Sequence, residues 1–205
     1  TTRSLEPLLA TPITTAELAR AQAGKYGFSS VTTNSIVKNL APATSYLKGW
    51  GRNDYGQATA PLGYFTQVSA GDAFTCALRD GGTAACWGLN TEGQIAAPAD
   101  LFLQVSTGEA HACGLKTNGT IACWGRDTND EATPPAGTFT SLSAGDNHTC
   151  AVQTGGAISC WGLNESGQAT PLAGYFNHVS AGDSHTCALQ TNGTLVCWGE
   201  DDLGQ

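Results

Sequence analysis

The sequence predicts an all-β fold assembled from repeated modules, and three observations predict it. Tryptophan-glycine pairs begin at Trp50, Trp87, Trp124, Trp161 and Trp198, a constant step of 37 residues. Phe28, Phe65, Phe102, Phe139 and Phe176 keep the same step, so five copies run without insertion or deletion. Inside the copies, short alternating apolar and polar segments are separated by glycine-containing turns, which is the pattern of strands and hairpins. Self-similarity at this period marks a solenoid, a propeller or an array of small units.

Composition narrows the functional classes. Charged residues make up 13% of the 205-residue chain and the net charge is -8. A phosphate backbone needs clustered lysine and arginine, so no nucleic-acid partner is expected; docking on anionic lipid is disfavoured for the same reason. No apolar run approaches the roughly 18 to 20 residues of a membrane helix. The chain opens Thr1-Thr2 and lacks methionine, which reads as a processed mature chain or an excised fragment.

Residues 1 to 27 stand outside the repeat as an N-terminal arm. Thr14 and Glu17 have capping-box spacing, so a short helix, ELARAQA, is predicted to follow and stop at Gly24. The preceding LEPLLATPI is apolar and extended. Its Leu5, Leu8, Leu9 and Ile13 either pack on the chain's own domain or lay a strand on a neighbour's sheet edge.

Residues 28 to 205 form the five-repeat domain. In its first copy, Phe28 to Gln57, the cysteine positions have become Asn39 and Gly49, as suits an atypical terminal repeat. Each of the four later copies begins with a strand such as Phe65 to Ser69 and turns at an Ala-Gly or Thr-Gly pair. It continues as a hairpin around Asp80-Gly81-Gly82, Thr117-Asn118-Gly119, Thr154-Gly155-Gly156 or Thr191-Asn192-Gly193. A three-residue loop sets Leu78 against Ala84, Leu115 against Ile121, Val152 against Ile158 and Leu189 against Leu195. Apolar partners match in every copy, which fixes the register. The same register opposes Cys76 to Cys86, Cys113 to Cys123, Cys150 to Cys160 and Cys187 to Cys197. Zinc sites favour shorter gaps and converging partners, so four disulfides within repeats are the better account, and they belong to an oxidising compartment. The tryptophans fall on the opposite face and open a polar W-G-x-N-x-x-G-Q connection, from which the third copy departs at Asp127, Asp130 and Glu131.

The segments Ala144-Gly145-Asp146-Asn147-His148-Thr149-Cys150-Ala151 and Cys160-Trp161-Gly162-Leu163-Asn164-Glu165-Ser166-Gly167-Gln168 resemble the regulator-of-chromosome-condensation repeat. The likeness is to its short-repeat form, which occurs in a secreted β-lactamase inhibitor protein and in many bacterial surface proteins. It covers Phe28 to Gln205 and implies a β-propeller in which each repeat is one blade. Such propellers usually have seven blades; with five repeats here, either five blades close a smaller ring, which is the favoured reading, or the chain is part of something larger, or partners complete the ring.

Candidate chemistry is sparse. His111, His148 and His185 share one repeat position and could meet on a metal, but Phe74 and Val37 occupy that place in other copies, so packing or hydrogen bonding is the better reading and no metal is expected. Asp72, Glu109, Asp146 and Asp183 form a second periodic set, read as turn caps in preference to a calcium or substrate site. His178 stands outside the periodic sets. No serine, cysteine or carboxylate pair breaks the repeat as an active site would, so neither catalysis nor a cofactor is expected. Asn118, Asn147, Asn164 and Asn192 begin glycosylation sequons, with Asn118 and Asn192 at hairpin tips. The function expected is that of a secreted or cell-surface binding or assembly protein, with a protein partner or self-association. The alternatives are a lectin, using tryptophan faces to stack on glycans, and an inhibitor of an extracellular enzyme.

Overall fold

A computed structural model describes residues 47 to 202 and Gly204. The chain divides into two compact units, Thr1–Thr44 and Ser45–Gln205. Described residues all belong to the second. The expected N-terminal helix, the arm residues Leu5, Leu8, Leu9 and Ile13, and most of the first copy lie outside them.

Each copy from Phe65 onward folds as one three-stranded antiparallel sheet. The first sheet holds β1 (Phe65–Ala70), β2 (Phe74–Arg79) and β3 (Ala84–Gly88). The second holds β4 (Phe102–Thr107), β5 (His111–Lys116) and β6 (Ile121–Gly125). β7 (Phe139–Ala144), β8 (His148–Gln153) and β9 (Ile158–Gly162) make the third. β10 (Phe176–Ala181), β11 (His185–Gln190) and β12 (Leu195–Gly199) make the fourth.

The hairpin register is the one that the apolar pairs demand: Leu78 faces Ala84, Leu115 faces Ile121, Val152 faces Ile158 and Leu189 faces Leu195. Its turn follows from glycine. Gly82 N–H donates to Arg79 O at 2.9 Å and Arg79 N–H to Thr83 O at 2.9 Å, closing a three-residue loop. The last loop residue must be left-handed, and Gly82 supplies a φ of 86°. Two positions in from the Leu78–Ala84 pair, Cys76 and Cys86 are joined, as are Cys113–Cys123, Cys150–Cys160 and Cys187–Cys197 in the other copies, with Cα atoms 4.0 to 4.1 Å apart.

No sheet this small encloses a core of its own, so the apolar clusters form between consecutive sheets. Cys113, Leu115 and Ile121 of the second sheet pack on Phe139, Leu142, Ala151 and Trp161 of the third. Cys150, Val152 and Ile158 then pack on Phe176, Val179 and Ala188 of the fourth. Each large side chain so buried contributes about 1.5 to 3 kcal/mol. The disulfide and apolar pair therefore face forward to the next sheet, and the tryptophan faces back.

Candidate functional site

The polar residues that repeat most faithfully are those that join one sheet to the next. Trp87 Nε1–H donates to Gln57 O at 2.8 Å, Trp124 to Gln94 O at 3.0 Å, Trp161 to Glu131 O at 3.0 Å and Trp198 to Gln168 O at 2.9 Å. Each glutamine is turned inward; Gln94 and Gln168 are 1% exposed, and their Oε1 atoms accept from Glu92 N–H and Ser166 N–H. The W-G-x-N-x-x-G-Q connection is thus a latch that holds the following blade-like sheet by its tryptophan.

A second link runs through glutamines on the leading strands. Gln67 Nε2–H donates to Val105 O at 3.0 Å while its Oε1 accepts from Val105 N–H at 2.9 Å. Gln104 clamps Leu142 in the same way, at 2.8 and 3.0 Å. In the third sheet the position is Ser141, whose buried hydroxyl has no partner.

Histidines make the third link. His111 Nε2 lies 2.8 Å from Thr149 Oγ1, and His148 Nε2 lies 2.8 Å from Thr186 Oγ1. Thr186 Oγ1–H donates to Gln168 O at 3.0 Å, so it accepts from His148, which fixes the Nε2–H tautomer. Both rings are fully buried and their Nδ1 atoms are unpartnered. Burial lowers each imidazole to a pKa of about 4, leaving both neutral. These histidines are strung along successive junctions, and among the described residues no group of three His, Cys, Asp or Glu side chains is arranged for a metal.

The carboxylates of the second periodic set do come together. Asp72, Glu109, Asp146 and Asp183 line one cavity of about 510 Å³ with Gly71, Gly108, Gly145 and Gly182. The turns approach so closely that a Cβ on Gly108 would collide with Gly145 O, and one on Gly145 with Gly182 O. Burial, and then the adjacent Asp183 carboxyl, push the Asp146 carboxyl above the usual range. Beside it, Arg126 Nη2–H donates to Glu109 Oε2 at 2.8 Å and to Asn147 Oδ1, while its Nε–H donates to Glu131 Oε1 at 2.8 Å. Burial raises the Glu131 carboxyl, but backbone N–H donors from Glu131 itself and from Asn129, with Arg126, outweigh it and leave the group below its ordinary value. The cavity is therefore lined by carboxylates, one of which, Glu109, is paired with Arg126.

A family model for the regulator of chromosome condensation (RCC1) repeat matches residues 65–94, 102–131, 139–168 and 176–205, more than half of the chain. The chain belongs to the RCC1 repeat family. Each match begins at the first strand of a sheet and ends at the glutamine position of the latch. No curated protein matches the sequence.

Among solved structures, the ectodomain of the Physcomitrella patens receptor kinase CR4 is 29% identical, with a TM-score of 0.63 over 75% of this chain and 47% of that one. The CRINKLY WD40 ectodomain of the Arabidopsis thaliana receptor kinase ACR4 is 27% identical, with a TM-score of 0.60 over 73% and 55%. Prp20p of Saccharomyces cerevisiae shares the fold at 20% identity, with a TM-score of 0.58 over 68% of this chain and 44% of that one. The chain spans about half the length of the receptor ectodomains it matches.

Within these RCC1 repeats the remaining candidates fall into two groups. Asn118 and Asn192 are exposed at hairpin tips, where their Oδ1 atoms accept from Thr120 N–H and Thr194 N–H. Asn164 is bound into its loop by Ala169 N–H and Thr170 Oγ1, and Asn147 is engaged by Arg126. His178 is exposed on β10. Of the tryptophans offered as sugar-stacking faces, Trp124 and Trp161 are buried in junctions, Trp87 and Trp198 are half-buried there, and Trp50 is 88% exposed. Sequence reasoning missed Gln67, Gln104 and Arg126, whose partners lie one repeat away or in the neighbouring turn.

Proposed function

We propose that this chain is an extracellular, non-catalytic β-propeller module that binds a protein partner, with its sheets as blades and its acidic mouth as the contact surface. The observation that carries the reading is the convergence of Asp72, Glu109, Asp146 and Asp183, from four consecutive turns, on one cavity. Carboxylates concentrated at one end of a sheet array create a negative field that selects a partner with exposed lysine or arginine. The four disulfides and the likeness to receptor-kinase ectodomains support an extracellular setting. A non-catalytic role is supported by His111 and His148, which are sealed in junctions and committed to threonines.

The test is surface plasmon resonance with the oxidised chain immobilised and a lysine-rich peptide as probe. Binding that weakens with salt and is lost in Asp146→Asn/Asp183→Asn supports the reading. Binding indifferent to both changes, or none at low salt, overturns it.

A further inference from the structure

Where modules repeat, a departure from the pattern that brings the fold no contact marks a site particular to the chain. One such place is the hairpin end of the junction between the third and fourth sheets. A groove of about 420 Å³ lies there, between the β8–β9 hairpin and the start of β10. Its size falls within the range of small-ligand sites. It shares no residue with the acidic cavity. Asp146 precedes β8 and the groove residue Gln153 ends it, so the two surfaces lie at opposite ends of that strand.

The groove presents one aromatic ring and a set of uncharged hydrogen-bonding groups. Tyr175 is 69% exposed and lies against the hairpin backbone, its Cδ1 3.3 Å from where a Cβ on Gly156 would stand. Gly155, the middle residue of that turn, brings no side chain to cover the ring. Asn177 and Thr191 are exposed as well, and neither they nor the Tyr175 hydroxyl make a side-chain hydrogen bond among the described residues. Thr140 and Thr154 donate inward, to Val152 O at 3.3 Å and to Thr138 Oγ1 at 2.9 Å. Their oxygens keep lone pairs with which to accept from a ligand.

The corresponding positions of the other junctions do not make this surface. Between the first and second sheets, Leu101 and Leu103 stand for Tyr175 and Asn177, while Arg79 and Asp80 stand for Gln153 and Thr154. Between the second and third, Thr138 and Thr140 replace the ring and the amide, Lys116 replaces Gln153, and Asn118 replaces Gly155. Of the three junctions between described sheets, one therefore combines a free ring and a free amide with no charge. The chain carries a net charge of -8, yet no charged residue lines this groove, so it does not select a ligand by charge. Its chemistry matches a molecule with a hydrocarbon face for the ring and a fringe of hydroxyls that both donate and accept. A neutral pyranose sugar is such a molecule.

We propose that the groove at Tyr175 binds a neutral glycan. The tyrosine ring stacks on one face of a pyranose, and Asn177 with the threonine hydroxyls meets the hydroxyls at its edge. This site goes beyond the protein-binding role of the acidic mouth and does not depend on it.

A glycan array of neutral and sialylated oligosaccharides, probed with the full oxidised chain, is the experiment, followed by isothermal titration calorimetry with the neutral glycan bound best. Binding to neutral glycans is expected, and salt should change it little. Tyr175→Ala and Asn177→Ala alter exposed side chains, so each variant keeps its disulfides and melting temperature while binding weakens about tenfold. No neutral glycan bound, binding confined to sialylated glycans, or binding unchanged in either variant overturns the proposal. Asp146→Asn/Asp183→Asn should leave glycan binding intact while removing that of the lysine-rich peptide, so the failure of one reading is distinguishable from the failure of the other.

Discussion

Arg126 and Glu131 are paired at 2.8 Å in the one described copy whose latch carries a carboxylate in place of the usual glutamine amide. Sister copies carry Leu89 with Gln94 and Leu163 with Gln168 at these two positions. Glu131 is fully buried, so its charge persists only because backbone N–H groups and a guanidinium meet it. Arg126→Leu alone strands that charge and is expected to cost about 2 to 4 kcal/mol in urea unfolding. The double change Arg126→Leu/Glu131→Gln recreates the sister latch and should recover most of the loss. A double variant no more stable than the single one shows that the pair is not an exchange for leucine and glutamine.

Ser141 is the opposite case, a departure that nothing offsets. Gln67 and Gln104 each grip a backbone amide and carbonyl of the next sheet, whereas the Ser141 hydroxyl is buried and unpaired. Ser141→Gln places an amide within reach of the corresponding residue, Val179, and removes an unsatisfied hydroxyl. Two hydrogen bonds of about 1 kcal/mol each, less the entropy of fixing the side chain, give an expected gain of about 1 to 2 kcal/mol. Differential scanning calorimetry checks it; an unchanged or lower melting temperature counts against the clamp.

The contrast between these positions shows what the sequence could disclose. Strands, turns and hairpin register were legible because both partners of each pair lie within one copy, and a slip of one residue would put Leu115 opposite a polar neighbour. The junctions were not legible in the same way. On β1, Gln67 reads as an ordinary outward polar residue of an alternating strand, and only the arrival of the next sheet makes it a clamp. Asp130 and Glu131 were visible as departures, but the meaning of Arg126 lies in a turn fold that brings residues 109, 126, 131 and 147 together. The phenylalanine at the same position let the histidines be read as packing or hydrogen-bonding residues, but not which threonine, one repeat on, each would meet.

At the acidic mouth, Asp146 carries a cost. Its carboxyl is raised by burial and by Asp183, so the fold holds its proton more tightly than the unfolded chain does. The sign follows: Asp146 opposes stability at neutral pH, and that opposition is relieved as pH falls through its raised pKa. Asp146→Asn should therefore raise the melting temperature slightly at pH 7 and make little difference in acid. A variant less stable than wild type at pH 7 shows that the carboxylate is stabilising as an acceptor.

His111 and His148 set the behaviour at mildly acidic pH. Both are neutral in the fold because burial lowers them to about 4, against about 6.5 in an unfolded chain. Between those two values the unfolded state takes up protons that the fold refuses, so stability is complete above about pH 6.5 and falls steadily toward pH 4. Below pH 4 the folded rings also titrate and the loss from this source levels off. Near His111, Glu131 partly offsets the effect of burial, and Arg126 adds to it. At 1.36 kcal/mol per unit, each ring contributes a loss on the order of 3 kcal/mol. Urea midpoints measured from pH 7.5 to 4.5 should decline accordingly. His111→Gln/His148→Gln keeps an amide donor for Thr149 and Thr186 but removes the titrating group, so its midpoint should be lower at pH 7.5 and nearly flat across the same range. A double variant with the wild-type slope places the acid sensitivity elsewhere, with the acidic mouth the next structure to test.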